Sequence, residues 1–318
     1  MINIPYPEKD VLVDFYNSQK DEILKRIKVI KNGKSISYKK KKYKVTKHCN
    51  YVLSWLEKEK NLRLVLLAKP RTLKKIIKKV ENNKNFQKAK YTKEALNRIL
   101  YRIFVDHGYV NIDKLKFVKT INLGSCPYCN RNYIFSVNKK GSVKPEIDHF
   151  YPKTLYPYLA CSYFNLIPSC PTCNGFGAKE SKDTYGEFKI LNPYNVKAED
   201  FRFSIKPIKI DFLDAKNTKR DFYGFKVEIY GNKSNIELFK LKELYAQHKD
   251  IVWELLIKKT HYPESYIKEL SSFGFGEDEI YRFLFCNYNK EEDLHKRPLS
   301  KLTKDILQEL GLTSVITR

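Results

Sequence analysis

Two Cys-x-x-Cys pairs, Cys126/Cys129 and Cys170/Cys173, constrain this chain more than any other feature. Each pair encloses a proline, Pro127 or Pro171, so each reads as a tight knuckle offering two thiolates from one turn. Two such knuckles can converge on one tetrahedral ion as a four-cysteine structural zinc site. A closed four-thiolate site has no open coordination position, so it would hold the fold and leave any reaction elsewhere. The 40 residues between the knuckles must then leave a common clasp and return to it. Cys49, Cys161 and Cys286 stand alone, and an odd total of seven cysteines argues against a disulfide framework. The opening residues lack the basic and apolar regions of a secretory signal. No apolar run approaches the roughly 18 residues of a membrane span, so the expected place is the cytoplasm, away from membrane.

The 318 residues carry 61 Lys and Arg against 36 Asp and Glu, a net charge of +25, well beyond the magnitude of about 2–8 that serves solubility. The excess is lopsided: residues 1–125 hold +20, residues 126–180 hold +3 and residues 181–318 hold +2. Charge of this sign and concentration expects a polyanion such as nucleic acid. Lys39, Lys40, Lys41 and Lys42, between Tyr38 and Tyr43, are the expected backbone contacts. The 42% hydrophobic content is ample for a core and excludes a disordered tail.

The spacing of Val11, Leu12, Phe15, Ile23, Ile27 and Ile30 predicts an amphipathic helix over 8–30, and similar patterns predict helices over 50–68, 71–82 and 92–107. Between the first two lies a basic loop or short hairpin, 34–45. Residues 1–120 thus read as a basic, mostly helical segment. After Cys173, 188–190, 201–212 and 222–230 are rich in β-branched and aromatic residues and read as strands. Helical spacing returns over 235–259, 265–270, 278–285 and 300–310. A central module, 121–182, is therefore flanked by the helical segment and by a mixed strand and helix segment, 183–318. The near-neutral charge and aromatic content of the latter suit a core or the docking of a partner.

The central module holds Asp148, His149, Asn165 and Asn174. A neutral imidazole is well suited to take a proton from water near neutral pH, and a hard oxygen ligand such as Asp148 can hold Mg(II). Adjacent strand residues point to opposite sides, so Asp148 and His149 serve one site only if the chain bends where Pro152 follows. Asn174 comes directly after Cys173, where a zinc knuckle would fix it. Taken singly, each has a plainer reading: a packed histidine, Asn165 as a turn residue, Lys153 and Lys179 as solvated charge. Their combination between two knuckles points to a site.

The stretches CPYC, EIDHFYPK and FNLIPSCPTCN resemble HNH endonucleases of the ββα-metal type. Within that group they are most similar to the Septu-type, PtuB-like, and retron-associated nucleases of bacterial antiphage systems, over about 55 residues. The resemblance implies an α+β fold with a ββα-metal core framed by the zinc site: strands over 132–137 and 144–148, and a helix from about Pro171. It implies His149 as general base, Asp148 and Asn174 as ligands of a catalytic Mg(II) or Mn(II), and Asn165 as the brace of the histidine loop. Lys153 or Lys179 would hold a neighbouring phosphate. Many relatives have His where Asn174 stands. It also implies 3′-hydroxyl and 5′-phosphate ends, and a neighbouring ATPase of the ABC or SMC-like kind as partner. The expected function is metal-dependent hydrolysis of nucleic-acid phosphodiester bonds in antiphage defence, with DNA favoured over RNA as the partner and both left open as substrate. The alternative is a zinc-framed nucleic-acid-binding module without catalysis, which needs no Asp-His-Asn set.

Overall fold

The N-terminal apolar spacing builds α1 (Lys9–Gly33), which buries Ile23, Ile27 and Ile30 and ends where Lys34 turns left-handed. In the computed structural model all residues are described except 39, 84–89, 138–142, 176, 209–223, 263 and 313–318. The basic stretch after α1 is an antiparallel hairpin, β1 (Ser35–Tyr38) with β2 (Lys41–Lys44), in which Tyr38 faces Lys41. The helix expected over 50–68 is two, α2 (Lys47–Leu56) and α3 (Glu59–Leu67), separated where Lys58 is extended. The side chain of Thr46 starts α2 by accepting from the Cys49 amide. Pro70 opens α4 (Pro70–Glu81), where its missing N–H costs nothing. Then α5 (Lys90–Tyr101) runs into a π-helical turn over Arg102–Asp106, and α6 (Lys114–Ile121) begins at the Asp113 cap.

In the central module β3 (Glu146–His149) pairs antiparallel with β4 (Leu166–Ser169), placing Asp148 opposite Ile167 and His149 opposite Leu166. The strand expected over 132–137 is therefore corrected. That stretch contributes only the isolated bridges Ser125–Tyr133 and Val137–Val143 among the described residues. Burial decides the competition: all four residues of β4 are buried, whereas Tyr133, Phe135 and Val137 stay exposed, and strand pairing follows the partner that packs. The helix expected from Pro171 is a single turn, α7 (Pro171–Asn174).

The C-terminal segment holds a seven-residue ribbon, β5 (Phe201–Pro207) with β6 (Phe225–Gly231), running from Phe201 opposite Gly231 to Pro207 opposite Phe225. Its alternation is plain: Phe201, Phe203, Ile205, Phe225, Val227 and Ile229 are buried. Residues 209–212 and 222–223 of the two expected strands lie outside the described residues. The strand expected at 188–190 does not form. There the amides of Phe188 and Ile190 turn back to Asp183 and Phe188 carbonyls. The span expected as one helix over 235–259 is α8 (Lys233–Leu238), α9 (Leu241–Tyr245) and α10 (Lys249–His261), interrupted at left-handed Lys240. The chain continues through α11 (Glu264–Ser272), α12 (Glu277–Phe285) and α13 (Ser300–Glu309). The fold is α+β, mostly helical with small sheets. One apolar cluster runs through all three segments, from Ile23 and Leu66 through Phe164 and Leu166 to Phe203 and Leu302. No helix of the described residues is long and apolar enough to cross a membrane.

Candidate active site

The prolines inside the knuckles turn the chain so that Cys126, Cys129, Cys170 and Cys173 meet, all buried, with sulfur atoms within 4.8 Å of one another. The 3.9 Å between the Cys129 and Cys170 sulfurs is close to the ~3.8 Å edge of a tetrahedron with Zn–S bonds of ~2.3 Å. Backbone amides of Arg131 and Cys170 donate to the sulfurs of Cys129 and Cys126, and the Asn132 amide donates to Cys170, as thiolates require. The set can hold one zinc ion. Asn130, fully buried and left-handed, ties the first knuckle to the C-terminal segment. Its amide donates to Ser125, Leu294 and Arg297, and its Oδ1 accepts from Ser300 and the Lys301 amide. Tyr245 adds a 2.6 Å bond to the Cys129 carbonyl.

From this frame two residues reach Asp148, which is 2% exposed. Tyr128, inside the first knuckle, donates to Oδ2 at 2.6 Å, and Lys179, six residues beyond Cys173, donates to Oδ1 at 2.9 Å. Lys179 also donates to the His149 carbonyl at 2.6 Å and is itself 0% exposed. A lysine enclosed in this way has no reach to solvent, so the phosphate contact expected of Lys179 is corrected: it is the counter-ion of Asp148. Burial, with the Asp148 charge, pushes the Tyr128 hydroxyl well above its ordinary range, so it remains a donor.

The next residue faces the other way. His149 Nε2 lies 3.2 Å from the Ala160 carbonyl, which selects the Nε2–H tautomer and leaves Nδ1 as the acceptor. Among the described residues Nδ1 has no hydrogen-bond partner. The imidazole is 7% exposed. Burial, then the Lys153 and Lys179 charges, outweigh the Ala160 bond and push its pKa down to about 3; the ring is neutral at physiological pH. Asn165 holds the loop that carries it. Its Oδ1 accepts from the Tyr151 amide at 2.7 Å, and its Nδ2 donates to the Tyr151 and Leu159 carbonyls at 3.1 and 2.9 Å. The far side of that loop is pinned to the N-terminal helices by Ser162 on the Val65 carbonyl and Cys161 on the Phe104 carbonyl.

Asn174, half-buried at the end of α7, donates through Nδ2 to Glu146 at 2.8 Å. Glu146 shares the strand face of Asp148, two residues away. The structure thus brings Asn174 to the Asp148 side of β3, while His149 lies across the strand. Lys153 is half-buried beside the Tyr109 ring, 5.1 Å from its centroid. In the distant hairpin Lys40, Lys41 and Lys42 are exposed, Lys41 pairing with Glu94 at 3.2 Å; Lys39 lies outside the described residues. A second Asp-His dipeptide, Asp106–His107, ends the π-helical turn, with Asp106 paired to Arg102. Sequence reasoning missed Tyr128, Glu146, Tyr109 and Lys114. The first two had a signal, a tyrosine inside a knuckle and a carboxylate two residues before Asp148. Tyr109 and Lys114 had none.

The chain is similar to the Septu protein PtuB of Bacillus thuringiensis, 46% identical over 48 residues. The likeness covers 15% of this chain and 18% of that protein's length. No family model and no solved structure matches the chain.

Proposed function

We propose that this chain is a metal-dependent HNH endonuclease, cutting phosphodiester bonds of DNA as an effector of bacterial antiphage defence. The observation that supports it most is the posture of His149: Nε2–H held on the Ala160 carbonyl, the loop braced by Asn165, and Nδ1 without a hydrogen-bond partner among the described residues. In that posture, with a phosphate anion in place to offset the burial and lysine charges that lower the basicity of the free imidazole, Nδ1 takes a proton from water, and the hydroxide attacks phosphorus. The bond to the 3′ oxygen breaks, and that oxygen leaves with a proton from solvent, giving 3′-hydroxyl and 5′-phosphate ends. Lys153 holds the phosphate beside the imidazole, and Asn165 keeps the ring from drifting during the transfer.

The donor set on the other strand face suits a hard cation. Asp148, Glu146 and the Oδ1 of Asn174 are oxygen ligands of the kind that hold Mg(II) or Mn(II), and each Asp148 oxygen keeps a lone pair beyond its one hydrogen bond. Such an ion would supply stabilisation of charge building on phosphoryl oxygens, at a phosphate near the strand end where the Asp148 charge acts on Lys153 and Tyr109, the neighbours of His149. The near-neutral segment 183–318 is the proposed dock for an ATPase partner of the ABC or SMC-like kind, a reading that rests on the Septu-type resemblance of the central module.

Purified protein and His149→Ala, assayed with Mg(II), Mn(II) or EDTA against supercoiled DNA, single-stranded DNA and total RNA, test the reading. His149-dependent nicking of DNA that EDTA abolishes is the expected result. Binding without cleavage under every condition would leave the non-catalytic zinc-framed module standing in its place.

A further inference from the structure

Lys114 and Lys153, from separate stretches of chain, lie beside the Tyr109 ring that meets His149, and the charge of Lys144 acts on Lys114. Lys114 opens α6, Lys144 precedes β3 and Lys153 follows it. The Lys114 and Lys153 ammonium groups lie 4.7 and 5.1 Å from the Tyr109 ring centroid, and the same ring meets His149 edge-on at 4.5 Å and 63°. None of the three lysines forms a salt bridge with a carboxylate among the described residues. Burial, followed by the Lys144 and Lys153 charges, lowers the pKa of Lys114, so the cations are close enough to disfavour one another.

The placement is built by the fold. A Cβ on Gly108 would meet the Cys161 sulfur at 2.4 Å and the Phe104 carbonyl oxygen at 2.7 Å. Only a glycine lets the chain pass so close to the histidine loop. Cys161 adjoins Ala160, whose carbonyl holds the imidazole. Tyr109 is therefore locked to the loop that orients His149, and the two ammonium groups are drawn to its ring by cation–π attraction.

Among the described residues Lys114 donates only to the Val110 carbonyl, and Lys153 feels the Asp148 charge from beyond salt-bridge distance; like charges held together in this way favour an anion beside the imidazole. We propose that Lys114 and Lys153, held by Tyr109 and reinforced by Lys144, clamp adjacent phosphates of a nucleic-acid backbone at the edge of His149. Tyr109 is a positioning residue, acting through the lysines. The helical N-terminal segment thus forms one wall of the site in addition to its general charge. The clamp rests on the nuclease reading for its meaning in cleavage; its binding can be measured without it.

The test uses a fluorescein-labelled DNA duplex of about 20 base pairs in Mg(II)-free buffer, with binding read by anisotropy across a salt series and folding monitored by circular dichroism. Lys114→Ala/Lys153→Ala is expected to raise Kd at least tenfold and to flatten the slope of log Kd against log salt by about two, since each phosphate contact contributes about 0.9. Tyr109→Leu should raise Kd about threefold while Tyr109→Phe, which keeps the ring, stays near wild type. An unchanged Kd and slope in the folded double variant, or a wild type that does not bind the duplex, overturns the clamp. If the double variant binds as wild type while cleavage still depends on His149, the clamp falls and the nuclease reading stands. If the clamp variants lose binding while the wild type cleaves no substrate under any metal condition, the clamp stands and the nuclease reading falls.

Discussion

The two faces of β3 are one residue apart and opposite in character. On one, Asp148 has a hydrogen bond on each carboxylate oxygen, and its partner Lys179 is wholly enclosed. On the other, His149 keeps one ring nitrogen without a hydrogen-bond partner among the described residues and lies beside Tyr109 with Lys114 and Lys153, neither of which forms a salt bridge among those residues. The difference teaches how one short strand can serve structure and chemistry together. The face tied to the cysteine knuckles through Tyr128 and Lys179 is internally paired at Asp148, with Glu146 and Asn174 at its exposed edge. The face turned toward the N-terminal helices retains unmet electrostatic need, which in a folded protein marks the place for a ligand.

The sharpest break of that comparison comes from the frame. Cys170 directly follows β4, and Cys126/Cys129 carry Tyr128, so both faces hang on the cysteine cluster. Elemental analysis is expected to find one zinc per chain. Cys170→Ser should lose it and unfold the central module, because structural zinc binding is worth about 10 kcal/mol or more of apparent folding energy. A zinc-free wild type, or a Cys170→Ser variant with an unchanged melting curve, would overturn the zinc assignment.

Next in size is the paired face itself. Lys179→Met leaves the Asp148 carboxylate buried and unpaired, which costs about 3–5 kcal/mol, read as a shift of the urea midpoint. Lys153→Met on the open face removes a cation with no salt-bridge partner among the described residues and should cost under about 1 kcal/mol, most of it the contact with Tyr109. Equal losses from the two lysines would mean that the faces do not differ. On the open face the effect moves from stability to rate. His149→Ala should lower the cleavage rate at least about 100-fold, equivalent to about 2.7 kcal/mol, with zinc retained and a stability loss smaller than that of Lys179→Met. Full cleavage by His149→Ala would remove His149 from the chemistry.

What could be read in the chain beforehand follows from how local each signal is. The helical burial of Ile23, Ile27 and Ile30, the proline at the start of α4 and the alternation of Phe201, Phe203 and Ile205 are decided within a few residues, and they appear where the spacing puts them. The four cysteines were legible because thiol chemistry demands pairs. The partner of β3 was not, since two apolar stretches competed and tertiary burial chose 166–169. Lys179 read as a phosphate contact, or at its plainest as solvated charge, because nothing in its neighbourhood announces a buried carboxylate 31 residues earlier. Tyr109 and Lys114 come to His149 only through closure of the whole fold, at the glycine contact between Gly108 and Cys161.

The smallest expected effect sits at the seam between the faces. Asn174 gives up its Nδ2 to Glu146 at 2.8 Å, which leaves Oδ1, the atom a cation would use, without a hydrogen-bond partner among the described residues. Its hydrogen bond is exposed, so Asn174→Ala should change stability by no more than about 1 kcal/mol. If Oδ1 is a ligand, the variant should cleave more slowly at low Mg(II) and recover most of its rate as Mg(II) or Mn(II) is raised, because a missing neutral ligand weakens ion binding without touching the base. His149→Ala should not recover at any metal concentration. Asn174→Asp sharpens the point: it places a carboxylate beside Glu146, and it should tighten the ion while repelling its neighbour in the ion's absence. A metal titration of the three proteins reads all of this. Equal rescue of the His149 and Asn174 variants would mean that the imidazole and the amide serve the same ion, and the division of labour between the two faces of β3 would not hold.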